Sequence, residues 1–299
     1  MPLQREKALL IVNPRAGIQG AKKNFYTIVE NLSKKYTLTV HITESARDAR
    51  KTAAAAAEEF GTLFVCGGDG TLSQVIDGYP LEKRCPQIGY IPCGTANDFA
   101  STLNLPKNIK ASVKNVCEGE AKEHDVGSFN LTKFIYVASF GAFTKASYST
   151  PQDAKNVLGQ FAYFLSGVFE LASIKPEYVK VICDEKTIET DKACFFSVSN
   201  STVMGGGTVK IPPDMIGLND GKMELLIINL PATPVRLAEM IAKLGASDFN
   251  DPDIYFLSGT HFDIETHKPV EWTLDGEEAG SHSRVTIDVL NNAVKFIRK

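Results

Sequence analysis

Three turns of small residues, each placed where a short apolar run gives way to a helix-like stretch, constrain this chain more than anything else in it. They are Asn13-Pro14-Arg15-Ala16-Gly17 after Ala8 to Val12, Gly67-Gly68-Asp69-Gly70-Thr71-Leu72-Ser73 after Thr62 to Cys66, and Gly94-Thr95-Ala96-Asn97-Asp98 after Gln87 to Ile91. Between them the spacing predicts a helix from Gln19 to Lys35, a strand from Thr37 to Ile42, an alanine-rich helix from Ala46 to Phe60 and a helix from Thr71 to Tyr79. Such alternation with short connections predicts an α/β fold, a mostly parallel sheet flanked by helices. All strands of that sheet deliver their following turns to one edge, where ligands bind. Thr43, after the second strand, reaches the same edge.

Beyond about His124 the texture changes to strand-like runs separated by turn formers: Phe134 to Ser139, Tyr178 to Cys183, Cys194 to Ser199, Met223 to Ile228, Thr260 to Glu265 and Val270 to Leu274. This predicts an antiparallel β-sandwich interrupted by one amphipathic helix from Asp153 to Ser173. The expected division is an α/β domain over residues 1–124 and a β-sandwich domain over 125–284. Runs Val285 to Val289 and Ala293 to Ile297 make 285–299 a candidate to return to the first domain.

Composition narrows the partners. With 32 basic against 35 acidic residues the formal charge is −3, which argues against a polybasic nucleic-acid binder. The run Ala8 to Val12 is too short for the core of a signal peptide. Phe161 to Ile174, broken by Ser166, Gly167, Glu170 and Ser173, falls short of the roughly 20 apolar residues of a spanning helix. The six cysteines form no CxxC pair, so reduced thiols in a cytoplasmic protein are expected.

The chemistry sits in the glycine-rich turns. Glycine lets a polyphosphate approach the backbone closely, and the helix that follows presents unpaired N–H groups at its positive dipole end. Asp69 adds a carboxylate able to orient a hydrated magnesium ion or the loop itself. A Walker A loop needs a GK[ST] ending that this chain lacks, and the dinucleotide pattern GxGxxG fails because Ser73 stands where its last glycine belongs. A tight turn without a ligand fits the second turn alone equally well; Thr95 and Asn97 also suit helix capping.

In this order and at these separations, the NPRAG turn, GGDGTLSQVIDGY and GTANDFA resemble the diacylglycerol kinase family of lipid kinases, in its bacterial DagK, DgkB, YegS and BmrU-like branch. The resemblance implies ATP in the cleft between the two domains. It assigns nucleotide binding to Asn13, Pro14, Arg15, Ala16, Gly17, Thr43, Gly67, Gly68, Asp69, Gly70, Thr71, Leu72, Ser73, Gly94, Thr95 and Asn97, with Arg15 and Lys22 as the nearest positive charges. Leu274-Asp275-Gly276-Glu277 resembles the family's catalytic DGE motif and makes Asp275 the acceptor of the alcohol's proton; Glu277 and Glu278 are weaker candidates. Without the family, that segment reads as an ordinary turn with a solvated carboxylate. Asn200, Gly205 to Gly207, Pro212 and Leu218 to Gly221 resemble a block that holds structural Mg2+, implying Asp220 as ligand with backbone oxygens near Gly217 and Lys222. Asp98 and Asp125 match acidic positions around Mg2+.

The implied function is transfer of the γ-phosphoryl group of ATP to a membrane lipid hydroxyl, diacylglycerol first, by a cytoplasmic protein in transient peripheral contact with the inner membrane surface. No nucleic-acid partner is expected, and a homodimer is allowed. A soluble-metabolite kinase related to NAD kinase and a non-catalytic nucleotide or lipid sensor remain alternatives.

Overall fold

The computed structural model describes residues 5–17, 20–45, 47–141, 175–204 and 209–299. The helix expected from Asp153 to Ser173 and the glycines Gly205 to Gly207 lie outside the described residues. The chain divides into two units: Met1–Val126 with Lys133–Ile135 and Leu290–Lys299, and Gly127–Thr132 with Tyr136–Val289.

In the first unit β1 (Glu6–Val12), β2 (Tyr36–Ile42), β3 (Thr62–Gly67) and β4 (Gln87–Pro92) form a parallel sheet in the order β2–β1–β3–β4. β3 is buried at every position, β1 at all but its first two and β4 at all but its first, as unbroken apolar strands covered on both faces must be; β2, at the edge, is buried only at Tyr36. The connecting helices are α1 (Gly20–Ser33), α2 (Asp48–Ala56) and α3 (Asp69–Gly78). The chain crosses from β1 to β2 in one direction and from β2 through β3 to β4 in the other. Right-handed crossovers therefore set α1 on one face and α2 and α3 on the opposite one. Ile28 and Leu32 of α1 share a core with Leu10, Phe64 and Cys66 and with Val113 and Val116 of a helix, α5 (Ile109–Glu118), that follows the short α4 (Asp98–Thr102). β5 (Glu120–Phe129) and the short β6 (Thr132–Phe134) come next, and the end of the long β15 (Glu277–Arg298) joins β4 in parallel, Lys295 opposite Gln87 and Phe296 opposite Ile88.

The second unit is antiparallel. β7 (Val137–Gly141) and β8 (Glu177–Cys183) each pair with both β9 (Lys186–Ser199) and β14 (His261–Leu274), using different stretches of those long strands. The two-residue strands β10 (Val203–Met204) and β11 (Val209–Lys210) pair with each other, β12 (Met223–Asn229) pairs with β9 and with β13 (Ile254–Gly259), and the first part of β15 with β14. Trp272 packs edge-on against Phe140 at 4.7 Å between ring centres, and Phe140 stacks on Phe196 at 5.0 Å, forming the aromatic core.

Several expected boundaries are corrected. The alanine-rich helix ends at Ala56 rather than Phe60. The run Phe134 to Ser139 is broken, because the N–H groups of Tyr136 and Val137 bond the Asp275 carboxylate rather than a neighbouring strand. The expected runs Thr260 to Glu265 and Val270 to Leu274 are one strand, His261–Leu274, its register shifting between Glu265 and Val270, where Pro269 has no N–H for the ladder. The separate runs near 285–297 are one strand, and helix α6 (Pro234–Gly245) stands where no helix was expected.

Candidate active site

In the first unit the three turns meet. Asn13 donates from Nδ2 to Thr71 Oγ1 at 2.9 Å and accepts the Arg15 N–H on Oδ1 at 3.0 Å, which binds the first turn to the second. Gly17 takes φ +61°, and a Cβ there would overlap the Cys93 carbonyl; only glycine brings the first turn against the end of β4. A Cβ on Gly68 would lie 3.2 Å from the Gly94 Cα, and one on Gly94 2.7 Å from the Gly68 Cα, so the second and third turns touch backbone to backbone. Asp69 holds them together, accepting the Asp98 N–H on Oδ2 at 2.8 Å and the Tyr90 hydroxyl on Oδ1 at 3.2 Å. Asn97 sits at the N-cap of α4 with φ 52° but makes no cap bond to that helix. Its amide clasps Gly94 instead, accepting from N–H at 2.9 Å and donating to C=O at 2.7 Å, which corrects the capping expectation.

α3 begins behind Gly68, an N-cap with no side chain to bond its first turn. The positive end of a ten-residue helix is therefore presented where the turns converge, an arrangement suited to a phosphate oxygen. A hollow of about 200 Å3 opens beside it, lined by Asn13, Arg15, Thr43 and Thr71 together with Glu44, Ser45, Ala49 and Gln74. Thr43 is fixed there by its N–H bond to Val12 O at 2.9 Å. The sequence reading missed the last four lining residues. Gln74 was within its reach, one helical turn beyond Thr71. Of the residues it named, Arg15, Lys22 and Thr95 are exposed, Ala16 packs on the apolar core, and Leu72 is wholly buried.

In the second unit Asp275 is not a solvated turn residue. With Gly276 it forms the two-residue link between β14 and β15, at φ 50° and 83°, yet it is only 3% exposed. Its Oδ1 accepts the N–H groups of Tyr136 and Val137 at 2.9 and 3.1 Å, and its own N–H bonds Val137 O at 2.8 Å. A carboxylate held by two backbone donors is fixed in place without losing its capacity to accept a proton. Glu277 and Glu278, by contrast, are exposed.

Gly217, Asp220 and Lys222 also come together. Asp220 Oδ1 accepts the Lys222 N–H at 2.9 Å, and a Cβ on Gly217 would overlap the Asp220 carboxylate. Among the described residues no three His, Cys, Asp or Glu side chains gather as a metal site. The donor set is one carboxylate in a turn of close backbone, hard oxygen chemistry that fits Mg2+ or Ca2+ with much of its water shell retained. Asp125 is occupied within the fold, its Oδ1 accepting the Asn292 N–H at 2.6 Å and the Asn291 amide at 3.1 Å.

Comparison with known proteins decides the lineage. Residues 7–129 match the model of the diacylglycerol kinase catalytic domain, and residues 137–298 match the YegS C-terminal NAD kinase beta sandwich-like domain. The diacylglycerol kinase of Bacillus subtilis (strain 168) is 34% identical over 282 residues, covering 92% of this chain and 91% of that one. The chain belongs to the diacylglycerol kinase family of lipid kinases. The diacylglycerol kinase of Staphylococcus saprophyticus is 29% identical over 92% of this chain and 90% of its own. A crystal structure of a diacylglycerol kinase from Bacillus anthracis str. Sterne superposes with a TM-score of 0.76 at 26% identity, covering 98% of this chain and 97% of that one. Yeast NADH kinase, at 12% identity and a TM-score of 0.51, shares the fold.

Proposed function

We propose that this protein transfers the γ-phosphoryl group of ATP to the free hydroxyl of diacylglycerol, giving phosphatidic acid. The observation that carries the reading is the convergence of three turns on the uncapped start of α3, a cradle of backbone donors fixed by Asn13, Asp69 and Asn97. A hollow of about 200 Å3 is below the roughly 300 Å3 at which small-ligand sites begin, so it takes part of a nucleotide. The triphosphate would lie along the turns, with Arg15 at the rim of the hollow supplying positive charge.

Asp275, buried and oriented by two N–H bonds, accepts the hydroxyl proton as the lipid oxygen attacks phosphorus. Positioning supplies most of the rate in such transfers and the base a smaller share. Asp220, with backbone oxygens of Gly217 and Lys222, would hold a structural Mg2+. Magnesium bound with the nucleotide neutralises charge on the phosphate oxygens. Asp69 serves chiefly to lock the second turn to the third. The lipid is reached by transient peripheral contact at the cytoplasmic face of a membrane; no helix among the described residues is long and apolar enough to cross one.

Purified protein incubated with γ-labelled ATP, Mg2+ and detergent-dispersed diacylglycerol should move label into the organic phase, and chelation of the metal should stop it. Label confined to the aqueous phase, with or without NAD as acceptor, would overturn the lipid reading.

A further inference from the structure

One face of the sheet in the second unit carries a polar stripe that is buried except at Ser258. Strand register sets Thr273, Ser139 and Ser197 side by side across β14, β7 and β9. Two residues along each strand, Val137, Ser199, Glu224 and Ser258 stand side by side across β7, β9, β12 and β13. Positions two apart share a face, so the rows form one stripe. Asp275 continues the second row, since its N–H bonds Val137 O.

A buried sheet face is ordinarily apolar, and the opposite face here, with Trp272, Phe140 and Phe196, is. On the polar face Ser197 and Ser199 are 0% exposed and Glu224 is 1% exposed. Ser139 and Thr273 hydroxyls bond each other at 2.9 Å, and Ser258 donates to Glu224 Oε1 at 3.2 Å. Ser197 Oγ, Ser199 Oγ and Glu224 Oε2 have no hydrogen-bond partner. Unpartnered buried polar atoms are costly and uncommon in native proteins. Three on one stripe leave a consistent set of unmet bonds that an entering ligand can complete.

We infer that this stripe seats the glycerol portion of an uncharged ester lipid, its serine hydroxyls donating to ester carbonyl oxygens beside Asp275. The inference rests on the reading of Asp275 as the proton acceptor and names what lies next to it. Hydroxyl groups match a ligand that offers several neutral acceptors at fixed spacing, and Glu224 Oε2 suits a hydroxyl, which can both donate and accept. Ser258, at one end of the stripe, is exposed, whereas Ser197, Ser199 and Glu224 are buried, so a ligand that reaches the serines must displace what covers them.

The test is the double variant Ser197→Ala/Ser199→Ala. Removing unpartnered buried hydroxyls should leave the melting temperature equal or higher, while the KM for 1,2-dioctanoylglycerol in mixed micelles rises at least about tenfold, the worth of one to two hydrogen bonds. The KM for ATP should not move. An unchanged lipid KM, or a lowered melting temperature, would overturn the assignment. Ser199→Cys, which keeps the size and gives up most of the hydrogen bonding, should raise the lipid KM in the same direction. Fluorescence of Trp272, the one tryptophan of the chain, reports binding of the same lipid without turnover. Saturable binding by the wild type that weakens about tenfold in the double variant supports the stripe even if no phosphate is transferred, in which case only the kinase reading fails. Equal binding by both proteins, or none by the wild type, overturns the stripe alone.

Discussion

At the scale of single residues, Asp275 shows how a position that reads as a surface turn becomes the most constrained acid in its unit. Asp275→Asn keeps an oxygen for the Tyr136 and Val137 N–H groups, so the variant should melt near the wild type and bind ATP normally. Turnover should fall at least about a hundredfold, the lower end of what general-base catalysis contributes; a near-normal rate in steady-state assays would remove Asp275 from the mechanism. Asp275→Ala leaves two buried donors without a partner and should in addition cost about 1–3 kcal/mol of stability, read from denaturant melts. His124 gives a second test. Burial, with the Arg298 charge adding to it, pushes its imidazole from 6.5 down to about 3. Between those values the unfolded chain binds the extra proton, so stability is complete above roughly pH 6.5 and declines as pH falls toward 3. Melting curves collected from about pH 7 to about pH 5 should show this slope, and His124→Phe, apolar like its ring neighbours Phe99 and Phe296, should flatten it. The motif marks Asp275, whereas its burial depends on a strand well over a hundred positions earlier, which no local pattern reveals.

Among the elements, the turns matter more than the strands that carry them. Gly94→Ala sets a methyl 2.7 Å from the Gly68 Cα and must part the second turn from the third. The expected result is a KM for ATP raised about tenfold or more, as one lost charge-assisted hydrogen bond implies, with the lipid KM unchanged. Steady-state kinetics with each substrate varied in turn would check this. The parallel strands and the edge their turns share were legible in the sequence, because buried central strands are continuous apolar runs and small residues follow each one. α5 was missed although Ile109, Val113 and Val116 recur at helical spacing and Asn108 accepts the Ala111 N–H at its start. The run near 285–297 was read as two pieces, Val285 to Val289 and Ala293 to Ile297. In the fold Asn292 takes φ 51° and its N–H goes to Asp125, so a distant carboxylate carries the strand through an apparent break.

For the molecule as a whole, residues Leu290–Lys299 belong to the first unit although everything else of that unit lies before position 136. Val294, Phe296 and Ile297 are 0%, 1% and 4% exposed. At about 1.5–3 kcal/mol for each fully buried side chain, they contribute roughly 5–9 kcal/mol, comparable with the whole stability of a typical domain. A fragment ending at 289 should therefore lose the cooperative melting of the first unit, as seen by circular dichroism, and a fragment of residues 1–126 alone should not fold. Fusing residues 290–299 to that fragment through a flexible linker should restore a cooperative transition. The sequence suggested this return only as apolar runs near 285–297. The pairing of Phe296 with Ile88 spans more than two hundred positions and leaves no local trace.

That late strand also dictates an order of events on the ribosome. The three turns are synthesised early, yet β4 gains its neighbour, the end of β15, only after the stripe and Asp275 have been made. A half-made chain therefore lacks the last partner of β4 until Asp275 and the serines of the stripe have already been made.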